Sequence, residues 1–195
     1  MSAHDARATP PTARAVLRFW FGDDDAVRAD WFRQRDDFDR EIDQRFGAEI
    51  EAALRGRLQD WDADRDARLA LVLLLDQFTR NVFRGTPRAF AGDALARAVA
   101  RRMIDAGQDR ELPPLRRWFV YMPFEHAESV DSQHRSLELF GALAREMNDD
   151  GTLVWARKHA EVIFRFGRYP HRNAILGRAS TPEEEAYLRE PGAGF

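Results

Sequence analysis

From Phe38 to Leu54 an apolar side chain returns at every fourth position: Phe38, Ile42, Phe46, Ile50 and Leu54. On a strand, Arg40 and Gln44 would share a face with these residues. On an α-helix the five form one stripe, with the acidic residues turned outward. The same period recurs along the chain. No stretch of apolar/polar alternation bounded by turns competes with it, so an all-α fold with little or no sheet is predicted.

Start and stop signals divide the pattern into about seven to nine helices. Thr12 can cap a segment carrying Val16, Leu17, Phe19 and Trp20 that stops at Gly22. Asp64 can cap a helix reaching about Asn81; its run 69–75 is apolar all round, which marks it as the central buried helix. Further helices are expected over 93–106, from Pro113 toward Pro123, and over 131–147 and 152–166. Gly107 and Gly167 serve as left-handed stops. Thr181-Pro182-Glu183-Glu184 combines a capping threonine, a first-turn proline and a glutamate at the third position, and opens a short last helix. No linker-like segment interrupts the pattern. The expected organisation is a polar leader over 1–11, one helical domain over 12–190 and a tail over 191–195.

Composition removes whole classes of function. With no cysteine, disulfide scaffolds, thiolate zinc sites and thiol nucleophiles are excluded. The five histidines, His4, His126, His134, His159 and His171, show no zinc-protease spacing, so neither metal nor cofactor is expected. A net charge of −3 argues against nucleic acid as a partner. The run 69–75 is far short of the ~20 apolar residues that span a bilayer. It predicts no membrane partner and, with a leader lacking an apolar core, a cytoplasmic protein. Trp20, Phe21, Trp31, Phe32, Trp118 and Phe119 read as core rather than as a stacking platform. Among the 30 basic residues only Lys158 is lysine. Arginine is the better forked ligand for carboxylates and phosphates.

Three polar clusters interrupt the apolar pattern. Asp76 and Arg80 follow the buried run at i,i+4, with Asn81 on the neighbouring face. They form either an internal clamp or the edge of a cleft, since charges on a buried helix must be paired. In Glu125-His126-Ala127-Glu128, followed by Gln133, two carboxylates and an imidazole stand where a proline interrupts an aromatic helix. Glu125 and His126 are the candidate acid/base pair, while Glu128 is a candidate ligand residue or a capping group. Arg165-Phe166-Gly167-Arg168-Tyr169-Pro170-His171-Arg172-Asn173 is the densest basic stretch. Arg168, His171 and Arg172 there are candidates for an anionic ligand, unless internal carboxylates balance them.

These clusters sit in longer blocks. Val16 to Gly22, Leu74 to Pro87, Pro123 to Glu128, and Arg165 to Asn173 with Leu176-Gly177-Arg178 and Ser180 to Glu184 resemble, in order and spacing, the bacterial family catalogued as domain of unknown function 924. The resemblance extends from about Ala15 to Leu188, with Thr79 standing where the family more often has proline. It implies a tetratricopeptide-like α-α superhelix and supplies no activity.

Two functional readings and one structural reading follow. In the first, a helical binding module presents Asp76, Arg80, Asn81, Glu128, Gln133, Arg168, His171 and Arg172 to an anionic small molecule or peptide. In the second, a hydrolase uses Glu125 and His126 as acid and base in the same cleft. In the third, the clusters are a sealed ion-pair network and function lies on a protein–protein surface.

Overall fold

A computed structural model describes residues 9–194. Most of the expected leader, and Phe195, lie outside the described residues. Among the described residues there is no strand, and no helix is long and apolar enough to cross a membrane. Within the span expected as one domain, the chain packs into two compact units. One holds the residues up to Arg84 together with Arg88–Pro123; the other holds Gly85–Pro87 and the residues from Phe124 on.

In the first unit, α1 (Pro11–Phe21) begins one residue before the expected Thr12 cap. Proline at the first helical position is already set at the helical φ, so no side-chain cap forms. Gly22, at φ 70°, ends the helix and donates its N–H to Arg18 O. α2 (Asp36–Leu54) buries Phe38, Ile42, Phe46 and Ile50, four of the five residues of the stripe read from the sequence, while Leu54 at its end is half-buried. α3 spans residues 65–82. Asp64 caps it as expected, its carboxylate accepting from Ala67 N at 2.8 Å. Its middle, Leu73–Phe78, is wound as a π-helix between the α-helical turns Arg65–Val72 and Thr79–Val82. Periodicity does not reveal this insertion, because every residue from 71 to 79 is buried and no polar face marks the phase. Thr79 Oγ1 donates to Leu75 O at 2.8 Å.

α4 (Asp93–Asp105) starts directly against that segment. A Cβ on Gly92 would stand 2.1 Å from Leu75 O, so only glycine allows the approach. The core is largely aromatic. Trp20 stacks on Trp31 with ring centres 5.8 Å apart and meets Phe119 edge-on at 5.7 Å, while Phe19 stacks on Phe38 at 5.3 Å. The expectation of a core role thus holds for Trp20, Phe21, Trp31 and Phe119, all buried; Trp118 is half-buried, and the Phe32 side chain lies outside those described. α5 (Pro114–Glu125) continues through Pro123 and ends two residues beyond it.

In the second unit, Ser129 caps α6 (Val130–Met147), and Asn148, at φ 51°, terminates it. α7 (Gly151–Phe166) follows after a connection too short for anything but an antiparallel return. The pair buries Leu139, Phe140, Leu143 and Ala144 from one helix and Leu153, Ala156, Ala160 and Ile163 from the other. Gly167, at φ 72°, stops α7 as expected. A single 3-10 turn, Pro170–Arg172, then leads to α8 (Pro182–Leu188). Thr181 and Glu184 form the expected capping box, with both of its hydrogen bonds present.

Candidate functional site

In the first unit the expected Asp76–Arg80 pair forms, and a third residue joins it. The π segment places Asp76 fully out of solvent, where Gln77 Nε2 donates to its Oδ2 at 2.6 Å. Arg80 Nη1 donates to Asp76 O and stands 3.2 Å from Asp76 Oδ1. The same guanidinium forks onto Asp93 at 2.8 and 3.0 Å. Asn81 Nδ2 donates to Asp39 Oδ1 at 2.7 Å, and Arg84 binds the same carboxylate. A surface pocket of about 400 Å³ in this unit is also rich in arginine. There too the cations meet the chain's own acids: Arg35 pairs with Asp30 and Asp37, and Arg45 with Glu41.

The second unit gathers Glu125, His126, Glu128, Gln133, Arg168, His171 and Arg172, and arranges them as two regions. The outer region is a clamp. Glu184 accepts a forked pair of hydrogen bonds from Arg168 at 2.6 and 2.8 Å, one from Thr181 N and one from Asn173. The hydrogen bonds from Arg168 hold the Glu184 carboxyl down at about 2. Asn173 passes the network on, its Oδ1 accepting from Arg178 Nε at 3.0 Å. Arg178 in turn forks onto Glu128 at 2.6 and 2.8 Å. Glu128 also accepts from Tyr169 N at 2.7 Å. Burial pushes the Glu128 carboxyl up, but the hydrogen bonds from Arg178 and Tyr169 N–H outweigh it and bring it below the ordinary range. Arg168 and Glu128 thus shape the loop after α7 with their polar atoms already engaged.

The inner region lies at the end of α5, where the last carbonyls of a helix have no partner within it. Gln133, reaching back from α6, serves them. Its Nε2 is 2.9 Å from Glu125 O, 2.8 Å from Ala127 O and 3.1 Å from the Tyr169 hydroxyl. Tyr169 is fully buried, and burial pushes its phenol far up, so the hydroxyl keeps its proton and donates to Glu125 O at 2.5 Å. The Arg172 guanidinium lies 4.5 Å from the centre of the Tyr169 ring. Burial first, and then the Arg172 cation, hold His171 down at about 4, which leaves it neutral at pH 7.

Glu125 itself is 3% exposed. Its Oε1 lies 2.9 Å from Nδ1 of His159, a residue of the buried face of α7. The same Nδ1 is 2.9 Å from Trp155 O. Two acceptors at one ring nitrogen require that nitrogen to carry hydrogen, so in the neutral ring Nε2 holds the lone pair. The His126 ring centre lies 6.1 Å from that of His159. The imidazole that meets Glu125 is therefore supplied from 34 residues away rather than by the sequence neighbour alone. The spare oxygen of the carboxylate, Oε2, is buried and receives no hydrogen bond; Gln133 Oε1 and Ser136 Oγ are in the same condition.

His159, Ser136 and Glu184 stand outside the polar clusters legible in the sequence, while Tyr169, Asn173 and Arg178 lie in or just beyond the basic stretch. His159 carried a legible signal: with Ala156, Ala160 and Ile163 it stands at i, i+3, i+4 and i+7 on an apolar stripe, an odd place for an imidazole. Glu184 was hidden because its part in a capping box accounted for it fully.

The family of bacterial proteins of unknown function DUF924 matches residues 16–192. A solved structure of a protein of unknown function, ATU0120 from Agrobacterium tumefaciens, is similar over 91% of this chain and 96% of its own, at 40% sequence identity and a TM-score of 0.83. No curated protein matches the chain.

Proposed function

The chain belongs to the bacterial family of unknown function DUF924, and since that family brings no assigned chemistry, we propose from the residues of the second unit that the protein is an acid–base enzyme of hydrolase type. His159 takes a proton from the reacting group, and Glu125 holds the imidazole in the tautomer and orientation this requires. The observation that carries the reading is the 2.9 Å contact between Glu125 Oε1 and His159 Nδ1, made by a carboxylate whose other oxygen is buried without a donor. A carboxylate behind Nδ1–H is the arrangement that fixes an imidazole as a general base at Nε2. A group retained only to seal an ion-pair network would satisfy both of its oxygens, as Glu128 and Glu184 do. His126 stands close enough to serve as a second proton carrier.

Binding of an anionic small molecule or peptide is the second reading, and Arg172 favours it. Its guanidinium lies on the Tyr169 ring beside a neutral His171.

The test uses nitrophenyl acetate, nitrophenyl phosphate and an aminoacyl nitroanilide with the full chain. Wild type is expected to turn over at least one of these. His159→Gln is expected to lose that turnover by about 10²–10⁴-fold, the usual contribution of a general base. Glu125→Gln, judged folded by circular dichroism, is expected to lower kcat with little change in KM. Equal turnover in wild type and His159→Gln removes the proposal.

A further inference from the structure

α7 carries two stripes with the spacing of a helix–helix contact, and only one of them is covered. Leu153, Ala156, Ala160 and Ile163 form the inward stripe and are buried. One residue further along at each step run Val154, Arg157, Glu161 and Phe164, spaced i, i+3, i+7 and i+10, all exposed. That is the spacing of the seam between two paired helices. Its apolar ends, Val154 and Phe164, are 43% and 46% exposed, and Trp155 beside Val154 is 48% exposed. The seam is also ordered symmetrically. Two positions to either side of 159 stand charges of opposite sign, Arg157 and Glu161; five positions to either side stand Val154 and Phe164. Both charges are open to a partner. Arg135, Arg165, Arg168 and Arg178 of the same unit each pair with a carboxylate of the chain. Arg157 and Glu161 make no side-chain hydrogen bond or ion pair among the described residues. At i,i+4 with the cation N-terminal, they have the poorer orientation for pairing with each other.

We propose that the outward seam of α7 is a homodimer interface, in which two copies of the chain pair through antiparallel α7 helices. The order of the seam selects this occupant. Across a two-fold axis at position 159, Arg157 meets Glu161 of the second copy and Val154 meets its Phe164, and each contact is made twice. A parallel pairing would set like charges face to face. Glu161, in the middle of the seam, also sets it apart from the basic amphipathic faces that lie on anionic membranes. The edges of the seam are held before association. Lys158 Nζ lies 4.3 Å from the centre of the Trp155 ring, and the His134 ring of α6 stands 5.0 Å from that of Phe164. Side chains ordered in advance lower the entropic cost of pairing. A single pair of 16-residue helices makes a contact at or below the about 1,200 Å² where specific interfaces begin, so the dimer is concentration-dependent rather than permanent. The inference is independent of the acid–base reading, because His159 lies on the opposite, buried face of the helix.

Sedimentation velocity on the full chain, from about 1 µM to about 500 µM, tests the proposal. Wild type is expected to pass from monomer toward dimer across that range. Arg157→Glu and Glu161→Arg each make both charge contacts like-signed and are expected to weaken association by about tenfold. Both sites are exposed, and circular dichroism checks that the fold is kept. Mixing the two variants opposes unlike charges at both contacts and is expected to restore the dimer, as is the double variant Arg157→Glu/Glu161→Arg. Orientation is read by cross-linking, since the chain has no cysteine of its own. A mixture of Val154→Cys and Phe164→Cys, oxidised, is expected to join position 154 to position 164 in preference to either symmetric disulfide. A monomer at every concentration overturns the proposal, as does a dimer indifferent to both charge variants or one cross-linked symmetrically. A chain that stays monomeric but sediments with phosphatidylserine vesicles overturns it in favour of a lipid surface.

Discussion

The clamp and the inner cluster of the second unit are built from the same kinds of residue and share Tyr169, yet they close their hydrogen bonds differently. In the clamp, Glu184 and Glu128 between them accept from Arg168, Arg178, Asn173 and two backbone N–H groups. In the inner cluster, Glu125 accepts from His159 with one oxygen and holds the other buried and unserved. The clamp has the economy of a structural network, in which removing any member leaves another exposed to low dielectric. The inner cluster has surplus capacity, a feature of sites that give up some stability for a ligand. The family resemblance covers both alike, so only the pattern of satisfied atoms separates them.

The largest expected effect lies in the clamp. Glu184→Ala strands Arg168 and Asn173 and is expected to cost about 2–4 kcal/mol, toward the low end of a broken buried pair because Arg168 is partly exposed. A urea-unfolding midpoint at pH 7 measures it, and a loss no larger than that of Glu125→Gln would erase the contrast. Glu128→Gln keeps the shape but weakens two charge-assisted hydrogen bonds from Arg178, for about 1–2 kcal/mol by the same measurement.

Acid separates the regions by pH window. His171 is held at about 4 against an ordinary 6.5. In that interval the unfolded chain binds a proton the folded chain refuses, so stability falls as pH drops from 6.5 toward 4. Glu184 is held at about 2 against 4.5, and Glu128 is lowered as well. Their carboxylates stabilise the fold fully above 4.5, and that contribution is lost as pH falls below it. Thermal midpoints taken across this range are expected to flatten above pH 4.5 in His171→Asn and to flatten only below it in Glu184→Gln. The smallest effect has the opposite sign. Ser136→Ala removes a buried hydroxyl with no partner and is expected to leave stability unchanged or raise it by up to about 1 kcal/mol. A clear loss would show that Ser136 belongs to the structural network after all.

Most of the helices were legible from period, caps and stops, because those signals are local. Asp64, Ser129, Thr181, Gly22, Gly107 and Gly167 each act on backbone within a turn of themselves. The π turn at Leu73–Phe78 was not legible, since a segment buried on every side carries no phase. The candidate site was legible as a set of segments but not as a set of partners. Asp76–Arg80 pairs as its spacing suggests, but Asp93, the forked acceptor of Arg80, enters from another helix. Glu125 stands beside His126 in sequence, yet it meets His159 at hydrogen-bond distance.

By itself the sequence determined an all-helical chain, its capped boundaries, its aromatic core and the three stretches where polar groups had to be buried. Helix formation and the need to pair buried charge are local consequences of residue type and spacing. Tertiary structure decided which arginines are matched from within, which imidazole stands behind Glu125, and which buried oxygens are left without a donor. Those outcomes depend on side chains tens of residues apart meeting at about 3 Å, a geometry that only packed helices fix.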